Sequence, residues 1–281
     1  MCRFVAYLGK PILLNEILSK PKDSLIQQSH SAQESEIKIN ADGFGIGWYR
    51  REVSEEPAIF VSPLPAWNDL NFKRISHYVM SPCFFGHVRA AAEGGVNVFN
   101  CHPFAYKNWM LMHNGGIGGF KRIRRDIVNL VSEELFLHIR GQTDSEHMFA
   151  LWLHYFLPSN QTHQDMIDAW RKTLKTIEEL QAKHHVKESS SINSMVTDGE
   201  QIVGVRYSSG NQAPLSLHYS AGERFQHTKD GCHMLPSKGH IPESVLIVSE
   251  KLTGFESEWH DVPAQHIISV NSHKAIHCLP I

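Results

Sequence analysis

The chain opens with a short apolar segment that carries a cysteine at its second position, Met1-Cys2-Arg3-Phe4-Val5-Ala6-Tyr7-Leu8-Gly9. The apolar, β-prone residues predict a strand near residues 3–7, which would hold the start of the chain in a sheet. Removal of Met1 would leave Cys2 with both a nucleophilic thiol and a free α-amine. An α-amine has an ordinary pKa of about 7.7–8.0, so it can act as a base near neutral pH. The segment therefore predicts a catalytic cysteine or, as the plainer alternative, a small buried thiol.

The composition is that of a folded, nearly neutral protein. Of its 281 residues, 42% are hydrophobic and 20% are charged, and the net charge is −2. This length allows one large domain or two small ones, and the weak charge gives no electrostatic case for nucleic acid or an anionic membrane. No apolar run reaches the roughly 18 residues of a membrane helix, and the start lacks the pattern of a secretory signal.

The cysteines predict free thiols in a reducing environment. Their odd number excludes complete pairing, and no CxxC pattern occurs among Cys2, Cys83, Cys101, Cys232 and Cys278. A cytoplasmic location is the simplest interpretation. Histidine is abundant at 19 residues, but no HExxH or similar ligand spacing appears. We therefore predict no metal and no other cofactor.

Groups of strands alternate with helices along the chain, which predicts an α+β fold with helices covering sheets. Strands are predicted over residues 3–7, 45–50, 58–61, 83–89, 109–113, 193–198, 202–207, 217–220, 244–249 and 266–270. Helices are predicted over residues 15–18, 68–79, 123–131, 144–156 and 164–182.

Local polar signals mark the ends of several of these elements. Thr143, followed three residues later by Glu146, predicts a capping box at the start of the helix over residues 144–156. Asp198-Gly199 predicts a hairpin turn. The polar residues 29–36 predict a loop or the end of a helix that begins near residue 15, and residues 184–191 predict a surface loop.

Two segments in the first third of the chain combine glycine with functional residue types. Gly43-Phe44-Gly45-Ile46-Gly47 would allow a ligand or another backbone to approach closely, and a bulged strand is the alternative. Gly86-His87-Val88-Arg89 ends a predicted buried strand with an arginine, the side chain suited to bidentate capture of a carboxylate. A surface arginine in a salt bridge is the alternative there.

Three later segments have both structural and functional interpretations. Asn100-Cys101-His102-Pro103 is either a rigid turn or part of a site. In Met112-His113-Asn114-Gly115, the Asn amide and the next main-chain N–H could form an oxyanion hole, with glycine permitting a positive φ. An ordinary Asn-Gly turn is the alternative. Asp144, in the first helical turn, could bind a ligand ammonium or serve only as part of the cap.

Taken in order, these motifs resemble those of the class II glutamine amidotransferases, which are N-terminal-nucleophile hydrolases. The resemblance covers about the first 150 residues. It is closest to the stand-alone branch with the YafJ-type proteins and the γ-glutamyl hydrolases of ergothioneine synthesis and glutathione breakdown. Near the C-terminus, Val248-Ser249-Glu250-Lys251-Leu252-Thr253 is similar to the closing segment of that branch. The resemblance implies a four-layer αββα sandwich and a single domain over residues 2–281, with Met1 removed.

The resemblance also implies the catalytic residues and the reaction. Cys2 would be the nucleophile, and Asn114 and Gly115 would supply the oxyanion hole. The α-amine of Cys2, directly or through a water, would take the thiol proton. The thiolate would then attack a γ-glutamyl carbonyl, and water would hydrolyse the resulting thioester.

Three further residues are implied to bind the substrate. Arg89 would hold the α-carboxylate, Asp144 the α-ammonium, and His102 would line the glutamine pocket. Synthetase-linked members often carry a Thr-His pair after the arginine, where this chain has Ala92 and Glu93. That departure puts substrate selection beyond the glutamate moiety in doubt.

Three functions remain open from the sequence: a free-standing hydrolase of a γ-glutamyl amide or peptide, a glutaminase subunit that passes ammonia to a separate synthase, and a non-catalytic binding protein. The chain has no room for a fused synthase domain, which favours the free-standing hydrolase. The leaving group, the protein partner, the oligomeric state and the removal of Met1 are left undecided.

Overall fold

The computed structural model describes residues 2–34, 38–91 and 95–281. The strands are β1 (Arg3–Leu13), β2 (Phe44–Arg50), β3 (Ser54–Ser62), β4 (Met80–Val88), β5 (Phe104–Tyr106), β6 (Trp109–Gly116), β7 (Ser191–Thr197), β8 (Ile202–Ser208), β9 (His218–Gly222), β10 (Arg224–Thr228), β11 (Gly231–Leu235), β12 (Ser244–Val248), β13 (His260–Asp261), β14 (His266–Val270) and β15 (Ile276–Pro280). The helices are α1 (Asn15–Leu18), α2 (Leu25–Ser31), α3 (Leu70–Tyr78), α4 (Phe120–Leu130), α5 (Glu133–His138), α6 (Asp144–Phe156) and α7 (His163–Lys183).

The predicted N-terminal strand lies in the middle of a sheet. This first sheet has the strand order β13-β9-β12-β1-β4-β2-β3. β1 is antiparallel to both neighbours, with Arg3 opposite Val88 on β4 and Val5 opposite Val248 on β12. The second sheet has the order β15-β14-β8-β7-β6-β5, and β10 and β11 form a separate hairpin. Pairing on both sides therefore anchors the chain immediately after Cys2.

The two sheets pack face to face, and alternate residues of their strands fill the layer between them. Phe4 and Ala6 of β1 meet Met110 and Met112 of β6 in this layer. Because successive side chains of a strand point to opposite faces, the neighbouring residues of each strand pack outward against helices. The unbroken apolar run of β1 follows from this arrangement, since both faces of its sheet are covered.

Helices cover the two outer faces. Trp152 of α6 and Trp170 of α7 are fully buried against the second sheet, and Leu18, Leu25 and Phe72 of α1, α2 and α3 pack on the first. The predicted α+β, four-layer αββα sandwich is confirmed. Among the described residues, no helix combines the length and apolarity needed to cross a bilayer.

The predicted capping box at α6 is wrong in its second half. The Thr143 hydroxyl accepts a hydrogen bond from the Glu146 N–H (3.2 Å), as predicted. The Glu146 carboxylate, however, accepts from the N–H groups of Arg140 (2.9 Å) and Gly141 (2.7 Å), so it secures the preceding loop instead of the cap. A reciprocal capping box occurs at Thr162, where α7 begins.

Several other boundaries differ from prediction because short polar signals interrupt the helical pattern. No helix runs from Asn15 to the polar stretch: α1 ends at Leu18, and Ser24 caps α2 by accepting from the Gln27 N–H. Residues 35–37 of that stretch lie outside the described residues. The predicted helix over residues 68–79 divides at Asp69, which caps α3 after a 3₁₀ turn. The predicted hairpin at Asp198-Gly199 is confirmed between β7 and β8.

Candidate active site

A cavity of about 350 Å³ lies where the ends of β1, β4 and β6 meet. Its walls include Cys2, Arg89, His102, Gly115 and Asp144. These residues are far apart in sequence, and the packing of the two sheets brings them together. Among the described residues, no group of three or more potential ligands is placed to hold a metal ion.

The Cys2 thiol lies against the main chain of Ala90, just beyond the end of β4. Its Sγ is 3.4 Å from the Ala90 nitrogen, which donates to it, and 3.5 Å from the Ala90 carbonyl oxygen. Burial raises the pKa of this thiol above its ordinary value, and the hydrogen bond from Ala90 acts in the opposite direction. The thiol is therefore protonated at neutral pH and needs a base before it can attack a carbonyl.

Arg89 is held rigidly beside Cys2. Its Nη1 donates to the carbonyl oxygen of Gly95 (2.8 Å), and its main-chain N–H donates to the carbonyl oxygen of Gly43 (2.8 Å). Asp42 completes the arrangement, because its N–H donates to the Arg89 carbonyl oxygen (3.0 Å). Arg89 is only 3% exposed, so the alternative of a surface arginine is wrong.

Asn114 and Gly115 lie within β6, and the alternative of an Asn-Gly turn is also wrong. Asn114 is directly opposite Asn193 on β7, and its Oδ1 and Nδ2 are buried without a hydrogen-bond partner among the described residues. Gly115 has a φ of +132°, and a Cβ at this position would collide with the carbonyl oxygen of Ser191. Glycine is therefore required here by both backbone conformation and space.

The Asn114 amide and the Cys2 thiol point into the same layer. Asn114 shares a strand face with Met112, which packs between the sheets, and Cys2 shares a face with Phe4, which packs there too. An unpaired buried amide is costly unless something supplies its hydrogen bonds. Asn114 is not among the residues that line the cavity, although its neighbour Gly115 is. Its unpartnered amide, among the described residues, suits a donor to a bound group.

Asp144 joins the start of α6 to the end of β6. One carboxylate oxygen accepts from the Ile117 N–H (2.8 Å), and the other accepts from the Ser145 N–H (2.8 Å). These bonds fix the carboxylate at the cavity wall. It lies at the N-terminus of a helix, where a negative charge is stabilised.

His102 forms part of a group of buried neutral imidazoles. Its ring lies 4.2 Å from that of His87 and 4.6 Å from that of Phe104, measured between centroids, and both of its nitrogens lack a partner among the described residues. Burial lowers the pKa of His102 well below its ordinary value, so the ring is neutral. Gly45 on β2 allows the close approach, since a Cβ there would collide with the His102 carbonyl oxygen.

His87 and His113 were not singled out from the sequence, although both lie in the motifs that were quoted. His87 Nε2 donates to the His113 carbonyl oxygen (3.1 Å), and His113 Nδ1 is 2.8 Å from the Ser145 hydroxyl. Their spacing could have identified them from the sequence. His87 is two residues before Arg89 and His113 is two residues before Gly115, and residues two apart in an extended chain lie on the same face. Ala92 and Glu93, the predicted departure from the family pattern, lie outside the described residues.

The chain matches known proteins over nearly its whole length. A family model described as class-II glutamine amidotransferases matches residues 17–275, a range that begins after Cys2. A Saccharomyces cerevisiae protein named probable glutamine amidotransferase DUG3 is 35% identical, over 96% of this chain and 82% of its own length. The γ-glutamyl-hercynylcysteine sulfoxide hydrolase of Mycobacterium tuberculosis is 31% identical, over 41% of this chain and 49% of its own length.

The fold is also that of a solved relative. A glutamine aminotransferase class-II domain protein from Silicibacter pomeroyi superimposes with a TM-score of 0.68 at 24% identity, covering 100% of both chains. At that level of identity, the likeness supports the fold alone.

Proposed function

The chain belongs to the class II glutamine amidotransferases, and we propose that it hydrolyses a γ-glutamyl amide with Cys2 as the nucleophile. The observation that carries the proposal is a single cavity lined by Cys2, Arg89, Gly115 and Asp144. It combines a thiol with a cation and an anion suited to the two charged groups of an amino acid. The substrate is accordingly a small molecule with a free glutamyl α-carboxylate and α-ammonium.

The reaction begins with removal of the thiol proton by the α-amine of Cys2, exposed once Met1 is cleaved. The thiolate attacks the γ-carbonyl carbon, and the Asn114 amide and the Gly115 N–H stabilise the tetrahedral oxyanion. The C–N bond breaks, and the leaving amine takes the proton from the α-ammonium of Cys2. Water then cleaves the γ-glutamyl thioester, giving glutamate and restoring the thiol.

The unreacting end of the substrate is held by opposite charges. The Arg89 guanidinium binds the α-carboxylate, and the Asp144 carboxylate binds the α-ammonium, while the neutral His102 ring forms part of the wall. Both charged side chains are fixed by hydrogen bonds to main-chain atoms, so they are ordered before the substrate arrives. Such ordering lowers the entropic cost of placing the carbonyl against the thiol.

The test is glutamate release by the purified full chain from glutamine and from γ-glutamyl dipeptides. Cys2→Ala should abolish release, whereas Cys278→Ala, which removes another half-buried free thiol on β15, should leave release unchanged. Intact-mass measurement of active protein should show that Met1 is absent. Activity with Met1 retained would exclude the α-amine as base, and no release from any γ-glutamyl compound would overturn the hydrolase proposal.

A second candidate is a glutaminase that passes ammonia to a separate synthase. The word amidotransferase in the name of the yeast relative favours it, because such enzymes transfer the released nitrogen. Glutaminase activity that appears only when another protein is added would support this candidate over the free-standing hydrolase.

We also propose that residues 2–281 form one domain that works in the reducing cytoplasm. Pairing of β1 with β12, and of β14 with β8, supports the single domain, because both ends of the chain contribute to shared sheets. All five cysteines lie in the described part of the chain and are free thiols, which suits a reducing compartment. One cooperative unfolding transition and full reactivity of the denatured protein's thiols, without reductant, are the expected results.

A further inference from the structure

We propose that His113 is a positioning residue for Asp144 and acts through the hydroxyl of Ser145. The three side chains form one hydrogen-bonded series, in which His113 Nδ1 is 2.8 Å from Ser145 Oγ, and Ser145 Oγ donates to Asp144 Oδ1 at 3.2 Å. His113 would thereby fix the carboxylate that binds the α-ammonium of the substrate. This inference rests on the proposed function and names a residue that controls recognition of the amino group at the same site.

The packing of α6 on the second sheet brings His113 and Ser145 together. His113 lies on β6 and shares a strand face with Leu111, which packs against the helices. Ser145 is the second residue of α6. Both residues are almost fully buried, His113 at 1% and Ser145 at 4% exposure. A hydrogen bond between side chains is stronger in such surroundings than in water.

The Asp144 carboxylate determines the direction of these hydrogen bonds. A carboxylate oxygen only accepts, so the single hydroxyl proton of Ser145 is directed at Asp144 Oδ1, and Ser145 Oγ accepts from His113 Nδ1. Burial lowers the pKa of His113, while the Asp144 charge and the Ser191 carbonyl oxygen act in the opposite direction. The ring is therefore neutral, and its one N–H is on Nδ1.

The bond from His113 holds the Ser145 side chain in one orientation. A serine side chain can take any of three staggered rotamers, and not all of them direct the hydroxyl at the neighbouring carboxylate. Among the described residues, the Ser145 hydroxyl has hydrogen bonds to two side chains, His113 on one side and Asp144 on the other. Without the donor on β6, the hydroxyl would be free to turn away from Asp144.

The oriented hydroxyl in turn fixes which oxygen Asp144 presents to the cavity. Oδ1 accepts from both the N–H (2.8 Å) and the hydroxyl of Ser145, whereas Oδ2 accepts from the Ile117 N–H (2.8 Å). Oδ2 also lies 3.7 Å from the point where a Cβ of Gly116 would be, and no other atom is within 4 Å of that point. Gly116 lines the cavity, so the space beside Oδ2 is open to a bound ammonium group.

The experiment compares KM for glutamine with KM for glutaramate, the analogue of glutamine that lacks the α-amine. His113→Leu and Ser145→Ala should each raise KM for glutamine about five- to tenfold, the effect of losing one hydrogen bond, with a smaller change in kcat. KM for glutaramate should not change. His113→Asn, whose side-chain amide can replace Nδ1 as the donor, should bring KM for glutamine to within about twofold of wild type.

Two comparisons separate this role from a general effect on the fold. Ser194→Ala is the matched control, because Ser194 is directly opposite His113, is fully buried and donates to the Met112 carbonyl oxygen (2.9 Å), but does not line the cavity. It should leave the ratio of the two KM values unchanged. The double variant with His113→Leu and Ser145→Ala should be no worse than either single variant, because both act through one bond to Asp144.

Three results would overturn the proposal: an equal rise in KM for both substrates, additive losses in the double variant, or no difference between His113→Asn and His113→Leu. If His113→Leu does not fold, Ser145→Ala, which removes only a hydroxyl, decides the outcome by the same comparison of substrates.

Binding to an inactive protein separates the positioning role from the proposed reaction. In a Cys2→Ala background, titration followed by NMR should show that Ser145→Ala weakens the binding of glutamine and leaves that of glutaramate unchanged. Selective weakening in a protein whose parent hydrolyses nothing would retain the role of His113 and Ser145 and overturn the hydrolase proposal alone. Equal weakening of both ligands, or binding of neither, would overturn the positioning role.

Discussion

His87 Nε2, on β4 of the first sheet, donates a 3.1 Å hydrogen bond to the carbonyl oxygen of His113, on β6 of the second. Asn114 is the next residue on β6, and Arg89 follows His87 by two residues, just past the end of β4. One bond therefore links β4, which leads to Arg89, the proposed carboxylate-binding residue, to β6, which carries the proposed oxyanion hole. Burial lowers the pKa of His87 to about 3, and the charges of Arg89 and Arg3 act in the same direction, so the ring is neutral at neutral pH.

Neutral buried histidines predict a loss of stability in mild acid. Burial lowers the pKa of His87, His102 and His113 in the folded state, so as pH falls the unfolded chain takes up protons first. The free energy of unfolding should be at its full value above pH about 6.5 and should fall by about 1.4 kcal/mol per pH unit for each neutral histidine below it. Urea unfolding at pH 7, 6 and 5 measures this. His87→Gln keeps an N–H donor but cannot be protonated, so its dependence on pH should be shallower; an identical slope would contradict the prediction.

Asn114→Ala should remove activity without removing stability. Loss of one oxyanion donor should lower kcat by about 10²–10³. The free energy of unfolding should change little, because the Asn114 amide has no hydrogen-bond partner among the described residues. The matched control is Asn193→Ala, which removes the bond to the Ser216 carbonyl and should cost about 1–3 kcal/mol. Turnover and urea unfolding of both variants check the prediction, and full activity in Asn114→Ala would sink the oxyanion role.

Substitutions of Arg89 and Asp144, the proposed binding residues for the two charged groups of the substrate, should act on KM. Each substitution should affect only substrates that carry the group its residue binds. Arg89→Lys keeps the charge but loses the bidentate fork, and Asp144→Asn keeps the bonding atoms but loses the charge. Each should raise KM for glutamine about 10- to 100-fold, the effect of a charged hydrogen bond. For 4-aminobutanamide, which lacks the α-carboxylate, Arg89→Lys should have little further effect. Glutaramate, which lacks the α-amine, should be correspondingly insensitive to Asp144→Asn. If the truncated substrates are affected as strongly as glutamine, the assignment of these two residues is wrong.

Gly115→Ala should lower the stability of the fold, because of the backbone conformation and the close packing at this position. The φ of +132° disfavours any side chain, and a Cβ would collide with the Ser191 carbonyl oxygen, which belongs to a paired strand and cannot move freely. We expect a loss of more than about 2 kcal/mol in the free energy of unfolding, together with loss of activity. Gly239→Ala is the control, because a Cβ there meets nothing within 4 Å. Equal stability of the two variants in urea unfolding would contradict the prediction.

The ion pair next to the nucleophile should couple two distant segments. Arg3 Nη1 is 3.8 Å from Glu250 Oε2, and both side chains are almost fully buried. Glu250 also accepts from the N–H groups of Gln33 (2.6 Å) and Glu34 (3.1 Å). Glu250→Gln should cost about 3–5 kcal/mol, because it removes the carboxylate that pairs with the buried Arg3 charge. In a double-mutant cycle, adding Arg3→Met should cost much less in that background than in wild type; strictly additive losses would show that the pair is not coupled.

Helices and strands with a clear cap or a long apolar pattern could be predicted from the sequence. Short elements that are stabilised by tertiary contacts could not. The bounds of α6 matched prediction because Thr143 caps a long apolar helix. The short helices α2 and α5 and the hairpin of β10 and β11 were missed, since a few residues of mixed polarity have no distinct period. Glu146 was assigned to the cap because its spacing fits a capping box, but the tertiary fold gives its carboxylate two main-chain donors in the preceding loop.

Short local motifs of the sequence identify the reactive and charged residues of the candidate site. Cys2 precedes a β-prone run, Arg89 ends an apolar strand and Asp144 follows a capping threonine, so the backbone setting of these three residues could be inferred from their neighbours. The setting of Asn114 and Gly115 could not, because an Asn-Gly pair also suits a turn and only the pairing of β6 with β7 places it within a strand.

The meeting of Cys2, Arg89, Gly115 and Asp144 in one cavity was decided only by the packing of two sheets. The same packing decided the neutral state of His87. The physical reason is the distance along the chain over which each effect operates. A hydrophobic pattern is set by residues a few positions apart, whereas strand order and burial depend on contacts between segments far apart in the chain.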